Sequence, residues 1–184
     1  MVENLVSAPA TTAWNLDLSH SELQFKVRHM MISTVTGEFK EFSVNAATEG
    51  DDFTTATVNL TANVASISTR NEQRDAHLRS DDFFAADQFP QLSFASTSME
   101  KVDEENYKLH GNLTIRDITK PVTLEVEFGG LAVDPYGNLR AGFTLQGKIN
   151  RKEFGLTWNA ITEAGGVVVA DDIKIIASVS LIKG

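Results

Sequence analysis

The chain has 184 residues, an ordinary length for one β-barrel or sandwich domain, and 42% of them are hydrophobic, enough for a sizeable core. Its net charge of −9, with 25 acidic residues against 16 basic ones, argues against a nucleic-acid partner and against docking on anionic membrane surfaces. The absence of cysteine removes disulfides, thiolate metal sites and cysteine nucleophiles, and no run approaches the roughly 18 apolar residues of a stable membrane span.

In chain order, residues 1–12 are small and polar and read as a flexible terminus, with 13–184 as a single domain. The opening MVENLVSAPATTA has neither the basic nor the apolar region of a secretory signal. With Met1 as the native start, the expected compartment is the cytoplasm; it is the periplasm if the native chain begins further upstream. Trp14, Leu16 and Leu18 alternate with polar residues and suggest a short first strand, and Ser19–His20 mark a turn. Leu23, Phe25 and Val27 then point one way and Gln24, Lys26 and Arg28 the other, with His29 falling in the apolar phase. Val35 to Ala46 is a further strand whose phase slips between Phe39 and Phe42, which predicts a β-bulge at Lys40–Glu41.

Alternating runs recur at Ala56–Val64, Leu92–Phe94, Tyr107–Ile115, Val122–Phe128, Leu139–Ile149 and Ile173–Leu181, with a strong turn signal at Asp134–Asn138. Short turns between amphipathic strands imply an antiparallel barrel or sandwich. Several strands are long: at about 3.3 Å per residue and a tilt near 40°, a twelve-residue strand makes a barrel roughly 30 Å tall. Small residues recur on the apolar faces, among them Gly37, Ala62, Gly111 and Ala141. They fit either an elongated apolar cavity or a packed core in which they complement the many Phe side chains.

Between Ser66 and Thr97 the period-2 pattern stops. Thr69 stands three residues before Glu72, a capping-box spacing, and Arg70 to Arg79 holds no Gly, Pro or β-branched residue. Asp75 and Arg79 stand four apart, acid first, and a second helix start is expected at Ser80 with Asp81 and Asp82 behind it. The insertion near residues 70–86 is therefore helical. It is too polar for a core helix, and reads as a solvated connection or as a lid over an opening.

Chemistry-bearing motifs are sparse. The four histidines share no metal-ligand spacing, and Gly-x-Ser-x-Gly, GxGxxG and the P-loop are absent, so no metal site and no catalytic residue is assigned. His29 reads either as a hydrogen-bonded core residue or as a ligand contact, and Arg74–Asp75 either as a structural tie or as a catalytic pair.

The ordered set of short motifs resembles a known family. Trp14-x-Leu-Asp17-x-x-His20-Ser21, Phe25-x-Val-x-His29 and Gly37-x-Phe39 are similar to the opening of the YceI-like proteins, also called polyisoprenoid-binding or lipocalin-like proteins. The likeness continues through Asn71-x-x-Arg74-Asp75-x-His77-Leu78, Asp82-Phe83-Phe84, Phe89-Pro90, Gly111-x-Leu113-Thr114-Ile115, Thr119-Lys120-Pro121-Val122, Arg151-x-x-Phe154-Gly155 and Asp171-x-Ile173.

This resemblance implies an all-β fold, an elongated antiparallel lipocalin-like β-barrel of about eight strands with a helix packed beside it. It implies a non-catalytic carrier whose interior holds one isoprenoid, quinone tail or fatty acyl chain. No cofactor is implied beyond that lipid-like ligand, and a homodimer is expected. Strand phase and resemblance together nominate Phe25, Val27, Phe39, Leu113, Ile115, Phe143 and Leu145 as apolar lining, with His29 and Arg74 as contacts for a polar head. The rival readings are a lipid-modifying enzyme using His29 as acid and base, and a filled barrel acting through its surface.

Overall fold

The computed structural model describes residues 10–160 and 166–184. In chain order it contains β1 (Thr11–Leu16), β2 (Glu22–His29), β3 (Ser33–Phe39), β4 (Phe42–Glu49), β5 (Asp52–Asn63), β6 (Ile67–Ser68), α1 (Glu72–Arg79), β7 (Gln91–Lys101), β8 (Asn106–Ile115), β9 (Ile118–Val133), β10 (Leu139–Asn150) and β11 (Val169–Lys183). The antiparallel order β1-β4-β5-β7-β8-β9-β10-β11 returns to β1, where Trp14 pairs with Lys183 and Leu16 with Leu181. β2, β3 and β6 extend β1, β4 and β5 as the far halves of the same three staves, since β11 pairs with β1 at one end and β2 at the other. The result is a closed eight-strand antiparallel β-barrel, with one α-helix among the described residues.

The breaks within staves have local causes. Between β1 and β2, Asp17 caps a 3-10 turn at Leu18–His20, its carboxylate accepting from the Ser19 N–H at 3.1 Å. At Lys40–Glu41 the expected bulge is instead a bend that splits the run into two strands, β3 ending at Phe39 and β4 starting at Phe42. Both backbone N–H groups between them turn to Ser66, on its carbonyl at 3.2 Å and its hydroxyl at 3.0 Å. Gly37 and Phe39 are buried before this point, and Phe42, Val44 and Ala46 after it. The first strand begins earlier than the alternation suggests, because Thr11 and Thr12 pair with Glu49 and Thr48. The remainder of the terminus read as flexible, residues 1–9, lies outside the described residues.

β8 follows its pattern without exception, with Tyr107, Leu109, Gly111, Leu113 and Ile115 all buried. The glycine question resolves toward packing at two positions. Phe25 lies across Gly37, its partner on β3, and Phe94 lies across Gly111, so that a Cβ at either glycine would collide with the ring.

The barrel ends differ. At one end Trp14, Phe53, Phe128 and Phe143 form a plug, with Phe53 centred 5.2 Å from Trp14, 5.3 Å from Phe128 and 5.1 Å from Phe143. At the other end lie the β2–β3 hairpin tip, α1 and the segment after β10.

The helical insertion departs from its predicted extent. α1 stops at Arg79, and 80–89 are turns, without a second helix at Ser80. Ser80 is the C-cap, donating its hydroxyl to the His77 carbonyl at 2.6 Å. Asn71, not Thr69, is the N-cap, accepting from the Arg74 N–H at 3.0 Å. Thr69 is unavailable for capping because its hydroxyl and N–H both donate to Asp75 Oδ1, at 2.6 and 2.8 Å. That contact also turns Asp75 away from the expected pairing with Arg79. Among the described residues no helix is long and apolar enough to cross a membrane.

Candidate functional site

Inside the barrel is a cavity of about 570 Å³, a size that suits an apolar small-molecule ligand. Its floor is the upper layer of the aromatic plug, where Phe53 and Phe143 face in above Trp14 and Phe128. Its walls are inward-facing positions of the long strands, such as Val44, Leu60, Leu109, Val126 and Val179. Long alternating strands fold this way because one face must leave water and closure gives that face a single interior.

The seven residues nominated as apolar lining, Phe25, Val27, Phe39, Leu113, Ile115, Phe143 and Leu145, all border this cavity, as do His29 and Arg74. They occupy different levels. Phe143 is at the floor, while Phe25, Phe39 and Phe84 form a run of rings near the opening, with successive centroids 5.8 and 5.9 Å apart.

The mouth is polar and held by pins. Arg74 donates from Nε to the Thr69 hydroxyl and from Nη2 to the Thr69 carbonyl, each at 2.7 Å. Arg74 and Asp75 therefore meet on Thr69, which ties the helix to β6. The second pin is Arg151, 2% exposed. Its guanidinium donates to the carbonyls of Ala170 at 2.9 Å, Leu156 at 2.6 Å, Trp158 at 2.8 Å and Val169 at 3.3 Å. Burial pulls its pKa down from the usual arginine range, against the opposing pull of Asp171. Arg116 is the third pin, donating from Nη1 to the carbonyls of Phe83 and Gly155, both at 3.4 Å, and lying over the Phe89 ring.

Across the mouth, the His77 ring meets Trp158 edge-on with centroids 4.6 Å apart and Phe83 at 5.1 Å, while its Nε2 contacts Asp82 at 2.8 Å. The His29 ring borders the cavity without a hydrogen bond to any described residue. Arg116, Arg151 and Trp158 escaped the sequence reading. Their motif signal was limited to Arg151-x-x-Phe154-Gly155, which says nothing of burial. Among the described residues no three His, Asp or Glu side chains converge on a metal position.

A closed meander barrel with an apolar core cavity and one polar mouth defines the lipocalin-like class of β-barrel proteins. The YceI-like domain family matches residues 14–181, and the chain belongs to that family. A UPF0312 protein of Staphylococcus aureus (strain USA300) is 40% identical over 170 residues, covering 91% of this chain and 95% of the relative. The crystal structure of a Campylobacter jejuni YceI protein matches with a TM-score of 0.73 at 35% identity, over 91% of this chain and 95% of that one. Burkholderia cenocepacia BcnA shares the fold, with a TM-score of 0.78 at 22% identity over 90% of this chain and 98% of its own. So does a polyisoprenoid-binding domain from Saccharophagus degradans, with a TM-score of 0.67 at 13% identity over 97% and 100% of the two chains.

Proposed function

We propose that this protein is a non-catalytic carrier that holds one long apolar amphiphile, an isoprenoid, quinone tail or fatty acyl chain, along the barrel axis with its polar head at the mouth. The observation that carries this reading is the cavity itself: about 570 Å³, walled mostly by apolar side chains, floored by aromatic rings, with its charged side chains at one end. Burial of apolar surface contributes about 25 cal/mol per Å², so an apolar chain in such a sleeve binds without many polar contacts. The polyisoprenoid-binding domain of Saccharophagus degradans supports the same class of ligand by likeness of fold.

The cavity weighs against a filled barrel. An enzyme pairing His29 with a carboxylate as acid and base would need an Asp or Glu beside it, and among the described residues none borders the cavity. The test is native mass spectrometry of protein purified from its own host, followed by organic extraction. An added mass that extracts as a single isoprenoid, quinone or acyl lipid supports the carrier. A bare polypeptide that also fails to take up added prenyl or acyl chains overturns it.

A further inference from the structure

The charged side chains bordering the cavity are all of one sign. Arg28, Arg74 and Arg151 border it, together with His29 and His77, and among the described residues no carboxylate does. Composition does not explain this, because acidic residues outnumber basic ones 25 to 16 in the whole chain. The carboxylates are nearby but outside the lining. Asp75 reaches Arg74 only through the shared Thr69 hydroxyl, Asp82 contacts His77 Nε2 at 2.8 Å, and Asp171 lies 3.9 Å from Arg151.

The arginines are not equally available. Arg151 is saturated by four backbone carbonyls, and Arg28, exposed on the outward phase of β2, reaches the Met31 carbonyl at 2.8 Å. Arg74 uses Nε and one Nη2 hydrogen on Thr69, which leaves Nη1 without a hydrogen bond to any described residue. The His29 ring is likewise without one. A half-solvated guanidinium beside an apolar cavity is poorly compensated, and an oxyanion offers it two charge-assisted hydrogen bonds in a matching plane.

We infer that the mouth is an oxyanion site built on Arg74 with His29, so that the carried amphiphile ends in an anionic head, a carboxylate or a phosphate. This inference rests on the carrier reading and narrows it, because a quinone, alcohol, ester or amide head brings no charge to the site.

The test compares probes of one chain length on delipidated protein at pH 7.5, below their aggregation limits: hexadecanoate against hexadecanol and methyl hexadecanoate, and farnesyl monophosphate against farnesol. At least one anion is expected to bind about tenfold or more tightly than its neutral partners, and which one does so separates a carboxylate head from a phosphate head. Arg74→Gln should abolish that preference, and Arg74→Lys should keep part of it. Equal binding of anionic and neutral probes overturns the oxyanion site and leaves the carrier standing. A preference that survives Arg74→Gln overturns the assignment to Arg74. No binding of any probe overturns the carrier reading itself. The comparison on the unmodified protein stands even if the variants fold poorly.

Discussion

Trp14 donates its indole N–H to the Thr48 hydroxyl at 2.9 Å, and both residues are buried, at 1% and 2% exposure. The same hydroxyl donates onward to the Gly50 carbonyl at 2.6 Å, so the bond fixes β1 against the β4–β5 turn at the closed end. Trp14 also supports Phe53 from below. Trp14→Ala should therefore cost about 3–5 kcal/mol, and Trp14→Phe about 1 kcal/mol for the lost hydrogen bond. Urea denaturation reads both. Trp14→Ala should also deepen the floor, so that the longest acyl chain retained in a chain-length series increases. An unchanged limit would mean that the plug does not set the depth of the cavity.

Arg151 invites the opposite expectation from its place in the sequence. It stands in an irregular segment, where an arginine is ordinarily solvated, yet it carries the carbonyls of Leu156, Trp158, Val169 and Ala170. Arg151→Met keeps much of the side-chain volume and strands those acceptors in a buried site. A loss of about 3–5 kcal/mol is expected, measured as a shift in denaturation midpoint at constant slope. A loss below about 1 kcal/mol would show that water replaces the guanidinium without penalty.

The contrast between Arg151 and β8 explains what was legible in the sequence. Alternation of period 2 encodes which face of a strand leaves water, so Phe25, Val27, Leu113 and Leu145 could be placed on the inner wall from residue type alone. The phase slip at Lys40–Glu41 was legible for the same reason. Depth along the barrel was not, because it depends on the stagger between staves: nothing local says that Phe143 reaches the floor while Phe39 stands near the mouth. The plug escaped because its four rings come from β1, β5, β9 and β10 and meet only on closure. Thr69 misled because its spacing to Glu72 is a local signal, and Asp75 captured the hydroxyl instead. Asp75 shows the same failure from the other side: it sits in a polar helix yet is 4% exposed.

The β2–β3 hairpin turns through Met30 at φ 53° and Met31 at φ 58°, two consecutive left-handed residues with side chains 45% and 54% exposed. Such turns favour Asn-Gly, and an L residue with a Cβ is strained there by roughly 1–2 kcal/mol. Packing does not explain the methionines, since they are half exposed. The double substitution Met30→Asn with Met31→Gly should stabilise the protein by about 1 kcal/mol, raising Tm by roughly 2–4 °C. A lowered Tm would show that the methionines contribute contacts which outweigh the strain.

Arg140 joins three segments of the barrel's outer surface, bonding Asp17 Oδ2 through Nη1 at 2.6 Å and Asp134 Oδ2 through Nε at 2.8 Å. The guanidinium, then the Ser19 hydroxyl and His20, hold the Asp17 carboxyl well below the usual carboxylate range. Arg140, with the Asn138 N–H next, lowers Asp134 from 3.8 to about 2. Between its ordinary pKa and these lowered values, the unfolded chain binds protons that the folded chain does not. Stability from this network is thus complete above about pH 4 and falls as pH drops toward 2. Arg140→Leu should remove that part of the acid sensitivity, so the loss in Tm between pH 5 and pH 2.5 becomes smaller than in the unmodified protein, while Tm at pH 7 falls. Arg140→Lys should restore part of the slope, since a single ammonium reaches one carboxylate well and two poorly. Parallel Tm profiles for the unmodified protein and Arg140→Leu would show that Asp17 and Asp134 titrate alike in the folded and unfolded chains.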